Sequence, residues 1–179
     1  MFVKVCGLKT FEQIDHAVSL GYDAVGFVMH RPSKRYVDAE RVLELIKYAD
    51  KRIKTFVVGV SYGEVKDAAH LADYVQVSEP VAIPNLAYAS DKDEQDVSCA
   101  LFVYDASRGS GIYKGFPEWL DTYRDKLLIS GGLNPENVAE TVKSVRPFGA
   151  DVSSGVEKNG VKDYELMKKF IDAVRGADR

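Results

Sequence analysis

Apolar positions along the chain follow two alternating periods. Short runs rich in Val, Ile, Phe and Tyr are separated by stretches in which apolar residues recur every three or four positions. The first kind of run reads as strand and the second as helix. The opening run, F-V-K-V-C, predicts a strand over 2–6. Thr10 then caps a helix carrying Ile14, Ala17, Val18 and Leu20, closed by Gly21. A second strand, D-A-V-G-F-V, leads into the basic loop H-R-P-S-K-R-Y. Asp38 caps the next helix, with Val42, Leu43 and Ile46 on its apolar face, and I-K-T-F-V-V-G-V is the third strand.

The pattern thins in the middle. A short helix bearing Val65, Ala68, Ala69 and Leu71 precedes the fourth strand, D-Y-V-Q-V. The following S-E-P-V-A-I-P is too short and proline-rich for a helix. N-L-A-Y-A is the fifth strand, and the polar run D-K-D-E-Q-D-V-S predicts only a turn or loop. The sixth strand, C-A-L-F-V-Y-D-A, is followed by the glycine-rich S-R-G-S-G-I-Y-K-G. A helix from Pro117 to Tyr123 and the strand K-L-L-I-S come next. In G-G-L-N-P-E-N, Asn134 is the expected cap and Pro135 the first helical residue, ahead of Val138, Val142 and Val145. The eighth strand is G-A-D-V-S, and a last helix is expected from about Lys162 to Arg175.

Eight strands in a βα series predict an α/β fold, a (β/α)8 barrel with shortened fourth and fifth helical connections, as one domain over residues 1–179. The rival is an open, doubly wound sheet, because 179 residues falls below the ~200 usual for a closed barrel.

Composition narrows the class of ligand. The chain is 46% apolar and 28% charged with a formal net charge of −3 and no basic block, which argues against nucleic acid. No apolar run approaches the ~20 residues of a membrane span, and no signal peptide is visible. Two cysteines, Cys6 and Cys99, are too few for a disulfide scaffold, so a reducing, cytoplasmic setting is expected. His16, His30 and His70 lack metal-ligand spacing, so no metal is predicted.

Candidate chemistry gathers at the carboxyl ends of the strands, the usual ligand end of such folds. Cys6 ends the first strand and is either a base or nucleophile or a small buried apolar residue. Asp105 ends the sixth and is either an acid at the same rim or a turn-initiating residue. Arg35 follows the second strand as a surface charge or a carboxylate clamp. The glycine turns Ser130–Gly131–Gly132 and Ser153–Ser154–Gly155 follow strands seven and eight, where barrels commonly hold a phosphate group. Gln76 ends the fourth strand, where it either lines the pocket or packs in the core.

Together these motifs resemble phosphoribosylanthranilate isomerase, an enzyme family of tryptophan biosynthesis. The matching stretches are K-V-C-G-L (4–8), D-A-V-G-F (23–27), S-K-R-Y-V (33–37), G-G-L-N-P-E-N-V (131–138) and D-V-S-S-G-V-E (151–157). The resemblance implies a (β/α)8 barrel that needs no cofactor. It implies conversion of N-(5-phosphoribosyl)anthranilate to 1-(2-carboxyphenylamino)-1-deoxyribulose 5-phosphate by an Amadori rearrangement. It also implies Cys6 as general base, Asp105 as general acid and Arg35 as carboxylate ligand. The phosphate would lie around Gly131, Gly132, Ser154 and Gly155, with Asp151 in support.

The middle departs from the pattern: Ser78 in V-Q-V-S-E-P stands where many relatives carry histidine. The trimmed fourth and fifth units favour a monomer over a homodimer. The expected partner is a small phosphorylated substrate. The alternatives are another phosphate-binding barrel enzyme, such as an indole-glycerol-phosphate synthase, and a noncatalytic phosphosugar-binding protein. For acid–base work near neutrality the thiol pKa would be lowered and the aspartate's raised. Lys4, two residues before Cys6 and so on the same strand face, is the candidate cation beside the thiol.

Overall fold

The computed structural model describes residues 1–105 and 116–178; the glycine-rich segment 107–115 lies outside the described residues. The eight predicted strands are β1 (Phe2–Cys6), β2 (Ala24–Val28), β3 (Lys54–Val58), β4 (Tyr74–Val77), β5 (Leu86–Ala89), β6 (Leu101–Asp105), β7 (Leu127–Ser130) and β8 (Gly149–Val152). All pair in parallel with their sequence neighbours, and β8 pairs back onto β1, with Val3 opposite Ala150 and Lys4 opposite Asp151. The sheet is therefore a closed barrel, and the open-sheet rival is excluded.

Strand alternation divides the apolar side chains into two cores. Val3, Val5, Val25, Phe27, Phe102 and Tyr104 face outward and join the large core beneath the helices. Ala24, Phe56, Ala87, Leu101, Val103 and Leu128 form a smaller core inside the barrel. The same alternation puts Lys4 and Cys6 of β1 and Asp105 of β6 on the inward face, with Cys6 and Asp105 at the carboxyl rim.

Helices α1 (Phe11–Leu20), α2 (Ala39–Ala49), α3 (Tyr62–Ala69), α4 (Val138–Val145) and α5 (Tyr164–Ala177) cover the outside. Their starts follow local chemistry. Thr10 accepts a hydrogen bond from Gln13 N, Asp38 from Arg41 N and Asp163 from Leu166 N. No helix lies between β4 and β5 or between β5 and β6, as the proline-rich and polar runs there predict.

One expectation is refined and two are corrected. The segment after Pro117 is a 3₁₀-helix over Glu118–Lys126. Asn134 does accept from Glu136 N and Asn137 N, but it caps only a turn, and α4 begins at Val138. Lys162 is not helical. It lies in a small hairpin, β9 (Glu157–Lys158) and β10 (Val161–Lys162), which precedes α5. The turn residues Asn159 (φ 53°) and Gly160 (φ 78°) both have positive φ, the Asn-Gly geometry that matches strand twist. The register sets Lys162 opposite Glu157.

Candidate active site

The first layer of the site is an arc of polar side chains inside the barrel. Asp105 pairs in register with Ser130 across β6 and β7. Ser130 Oγ donates to Asp151 Oδ2 at 3.2 Å. Asp151 Oδ1 lies 3.0 Å from the Lys4 ammonium, and both side chains are almost wholly buried. Lys4 also lies over the Phe56 ring, 5.1 Å from its centroid. Lys4 shares its strand face with Cys6, as the sequence spacing predicts. The arc therefore runs from the carboxylate at the end of β6 to the thiol at the end of β1.

Gly26 makes room for this end of the arc. It pairs in register with Cys6. A Cβ at Gly26 would lie 2.8 Å from Cys6 Sγ and 3.1 Å from Lys4 Cε. Only a strand position without a side chain leaves the thiol and the ammonium side by side.

Burial governs the protonation of these groups. It pushes the Cys6 thiol up, and the Lys4 and Lys162 ammoniums only partly counter it. The expectation of a lowered thiol pKa is thus not met. Burial likewise raises Asp151, against the pull of Lys4. For Lys4, burial pulls down, but Asp151 and Cys6 outweigh it and the pKa ends above its ordinary value.

The second layer lies on the rim. Arg35 passes so close over Gly7 that any side chain there would strike Arg35 Cδ, and Gly7 also has a φ of +83°. The Arg35 guanidinium grips Glu157 with Nε to Oε1 and Nη2 to Oε2, both at 2.7 Å, which leaves its Nη1 edge outside that pair. The hydrogen bond to Glu157 raises Arg35. Burial alone would raise Glu157, but Arg35 and Lys162 bring it below its ordinary value.

Lys162 Nζ donates to Glu157 Oε1 (2.6 Å), Ser153 O (2.9 Å) and Ser153 Oγ (3.3 Å). Ser153 Oγ in turn donates to Cys6 O at 2.9 Å. The roles of Glu157 and Lys162 are not foreseen in the sequence reading. The Asn159–Gly160 pair between two extended dipeptides is the signal that reveals them.

The two glycine turns meet. Gly131 (φ 85°) and Gly132 (φ 73°) need backbone geometry that other residues adopt with strain. Gly155 rests on the Leu133–Asn134 turn, where a Cβ would run into Leu133 O. Ser154 beside it is exposed. The loops after β7 and β8 therefore form one continuous surface. On the opposite rim a cavity of about 480 Å³ is lined by Gln76, Ser78, Tyr88, Ala89, Ser90 and Asp105, among others.

The sequence and the fold have counterparts among known proteins. Residues 83–173 match the family model described as N-(5'phosphoribosyl)anthranilate (PRA) isomerase. An N-(5'-phosphoribosyl)anthranilate isomerase of Thermoanaerobacter sp. (strain X514) is 34% identical, over 97% of this chain and 98% of its own. The chain belongs to the N-(5'-phosphoribosyl)anthranilate isomerase family. It is thereby an enzyme of tryptophan biosynthesis, a phosphoribosylanthranilate isomerase on a (β/α)8 barrel. The phosphoribosyl anthranilate isomerase of Thermotoga maritima superposes with a TM-score of 0.79 at 29% identity, over 98% of this chain and 99% of that one. A further structure of such an isomerase, in complex with reduced 1-(o-carboxyphenylamino)-1-deoxyribulose 5-phosphate, gives 0.78 at 32% identity, again over 98% and 99%. Among the described residues no helix is long and apolar enough to cross a membrane.

Proposed function

We propose that Cys6 and Asp105 divide the two proton transfers of the isomerisation. The observation that carries this reading is the arc Asp105–Ser130–Asp151–Lys4–Cys6, which ties an acid and a base to one end of one barrel. Asp105 gives its proton to the ribose ring oxygen as the C1–O bond breaks, and the anilino nitrogen lone pair forms the Schiff base. Cys6, as thiolate, removes the C2 proton. The C–H electrons form the C1–C2 double bond, the C=N electrons return to nitrogen, and the enolamine tautomerises to the ketone.

A thiol raised by burial is mostly protonated at neutral pH, but each thiolate that forms is a stronger base. Lys4 and Lys162 supply the positive potential under which that thiolate is made. Asp151 keeps Lys4 charged and in place.

The substrate is anchored at both ends in this reading. Its phosphate takes the N–H groups and small side chains around Gly131, Gly132, Ser154 and Gly155. Its anthranilate carboxylate takes the free edge of Arg35. Binding energy from the two anchors then holds C1 and C2 between thiol and carboxyl. Two free cysteines, Cys6 and Cys99, favour a cytoplasmic location for the chain.

Cys6→Ser and Asp105→Asn should each lower turnover by about 10²–10⁴-fold, the worth of a positioned proton transfer. Affinity for a product analogue should remain. Loss of substrate fluorescence is the readout. A variant that turns over at near wild-type rate removes that residue from its role.

A further inference from the structure

The carboxylate anchor poses an electrostatic problem. Glu157 occupies Nε and Nη2 of Arg35 and cancels its charge, so the pair alone is a poor trap for an anion. Lys162 removes the problem. Its side chain is 1% exposed, and the three N–H bonds of its ammonium match three acceptors: Glu157 Oε1, Ser153 O and Ser153 Oγ. With Lys162 charged, the three-residue cluster carries one net positive charge. The Ser153 hydroxyl then reaches the backbone carbonyl of Cys6. One set of hydrogen bonds thus runs from the guanidinium to the strand end that bears the thiol.

The hairpin accounts for the placement. Its Asn-Gly turn sets the register, the register puts Lys162 across from Glu157, and the 2.6 Å ion pair follows from cross-strand geometry. A lysine in the first turn of a helix, as the sequence pattern alone reads it, would not meet these acceptors.

We propose that Lys162 is a positioning residue for carboxylate recognition. Holding Glu157 and Ser153, it fixes the free edge of Arg35 at a set distance from Cys6 and keeps the cluster cationic. This rests on the reading of Arg35 as the carboxylate ligand. Lys162 touches no reacting atom.

The test compares two ligands: reduced 1-(o-carboxyphenylamino)-1-deoxyribulose 5-phosphate and its phenylamino counterpart without the carboxyl group. Wild type should prefer the carboxylated ligand. In Lys162→Met the preference should fall about tenfold or more, the scale of one charge-assisted hydrogen bond. Affinity for the second ligand should hold, and KM should rise by more than kcat falls. Lys162→Arg should recover part of the preference. A folded Lys162→Met protein with wild-type preference, or one that loses both ligands equally, overturns the proposal.

Should Lys162→Met not fold, Glu157→Gln decides on the same pair of ligands. It makes the cluster more positive but destroys the two-point grip. Loss of preference supports positioning, and an unchanged or stronger preference overturns it. Arg35→Ala separates the two levels. If it retains the preference, the Arg35 reading itself fails. If it loses the preference while Lys162→Met keeps it, only the role of Lys162 fails.

Discussion

The two sides of the barrel mouth are built on different principles. From β7 through β8 to β2 the rim is a mesh of charges: Asp151 with Lys4 inside, and Arg35 with Glu157 and Lys162 above. Neither connection between β4 and β6 carries a helix, and aromatic rings, two of them from the 3₁₀-helix after β6, do much of the sealing. Phe102 stacks on Tyr123 with centroids 4.0 Å apart, and Trp119 meets Phe102, Tyr104 and Tyr123 edge-on. Tyr88 bonds the Glu94 carboxylate, and its hydroxyl is pushed up to about 12, by burial first and then by that carboxylate. In the proposed mechanism, one side fixes a substrate's charged group and its base at a set spacing, which requires directional bonds. The other carries Asp105 at the end of β6 and otherwise seals the barrel wall, which flat rings do with few residues. The short connections thus lie where the proposed chemistry rests on a single strand-end carboxyl.

The largest effect should come from the aromatic side. Phe102→Ala removes a fully buried ring and its stacking on Tyr123, and a loss of about 3–5 kcal/mol in denaturant unfolding is expected. The contrast breaks if this variant unfolds like wild type, because the wall would then be held by something other than the rings.

Gly26→Ala probes the charged side. The added methyl would press on Cys6 Sγ and Lys4, so turnover should fall by up to about 10²-fold, the usual cost of displacing a reacting group by about 1 Å. Stability should change less than in Phe102→Ala. A variant with unchanged turnover would mean that the thiol has more freedom than the contrast allows.

Gly160→Ala should cost about 1–2 kcal/mol, because a residue with a Cβ resists positive φ. Open space surrounds the position, so no clash adds to this. Its carboxylate preference should drop slightly as the hairpin loosens.

The smallest effect concerns acid. The Glu157 pKa in the folded chain lies below its ordinary 4.5, so the residue adds stability above that pH and loses it as pH falls through the lower folded value. Thermal unfolding of wild type and Glu157→Gln should therefore converge on acidification. A gap in melting temperature that persists at the acid end would detach the charge from the stabilisation.

Most of the barrel was legible because its strands are short, β-branched and punctuated by glycine. Local capping by Thr10 and Asp38 reinforces the period of the helices they start. The segment after Pro117 is helical as expected, but it takes the tighter 3₁₀ form and runs on to Lys126. Lys162 is hard to place from local pattern because K-D before an apolar run looks like a helix start, whereas the Asn159–Gly160 turn two residues earlier puts it in a hairpin. The candidate site was legible at its strand ends only in part: position makes Cys6 and Asp105 candidates, and the family resemblance supplies the roles proposed for them. The raised thiol was not, because burial inside a closed barrel is a property of all eight strands together. Nor was the Arg35–Glu157 pair, which joins residues more than a hundred positions apart.

Gly26 bears on the redesign of this barrel. Any scheme that preserves reactive atoms but fills unoccupied interior positions to gain packing would choose this residue early. It would keep the cysteine and the lysine and still force them apart. A bare backbone position facing a sulfur atom is, in this molecule, as restrictive as the sulfur itself.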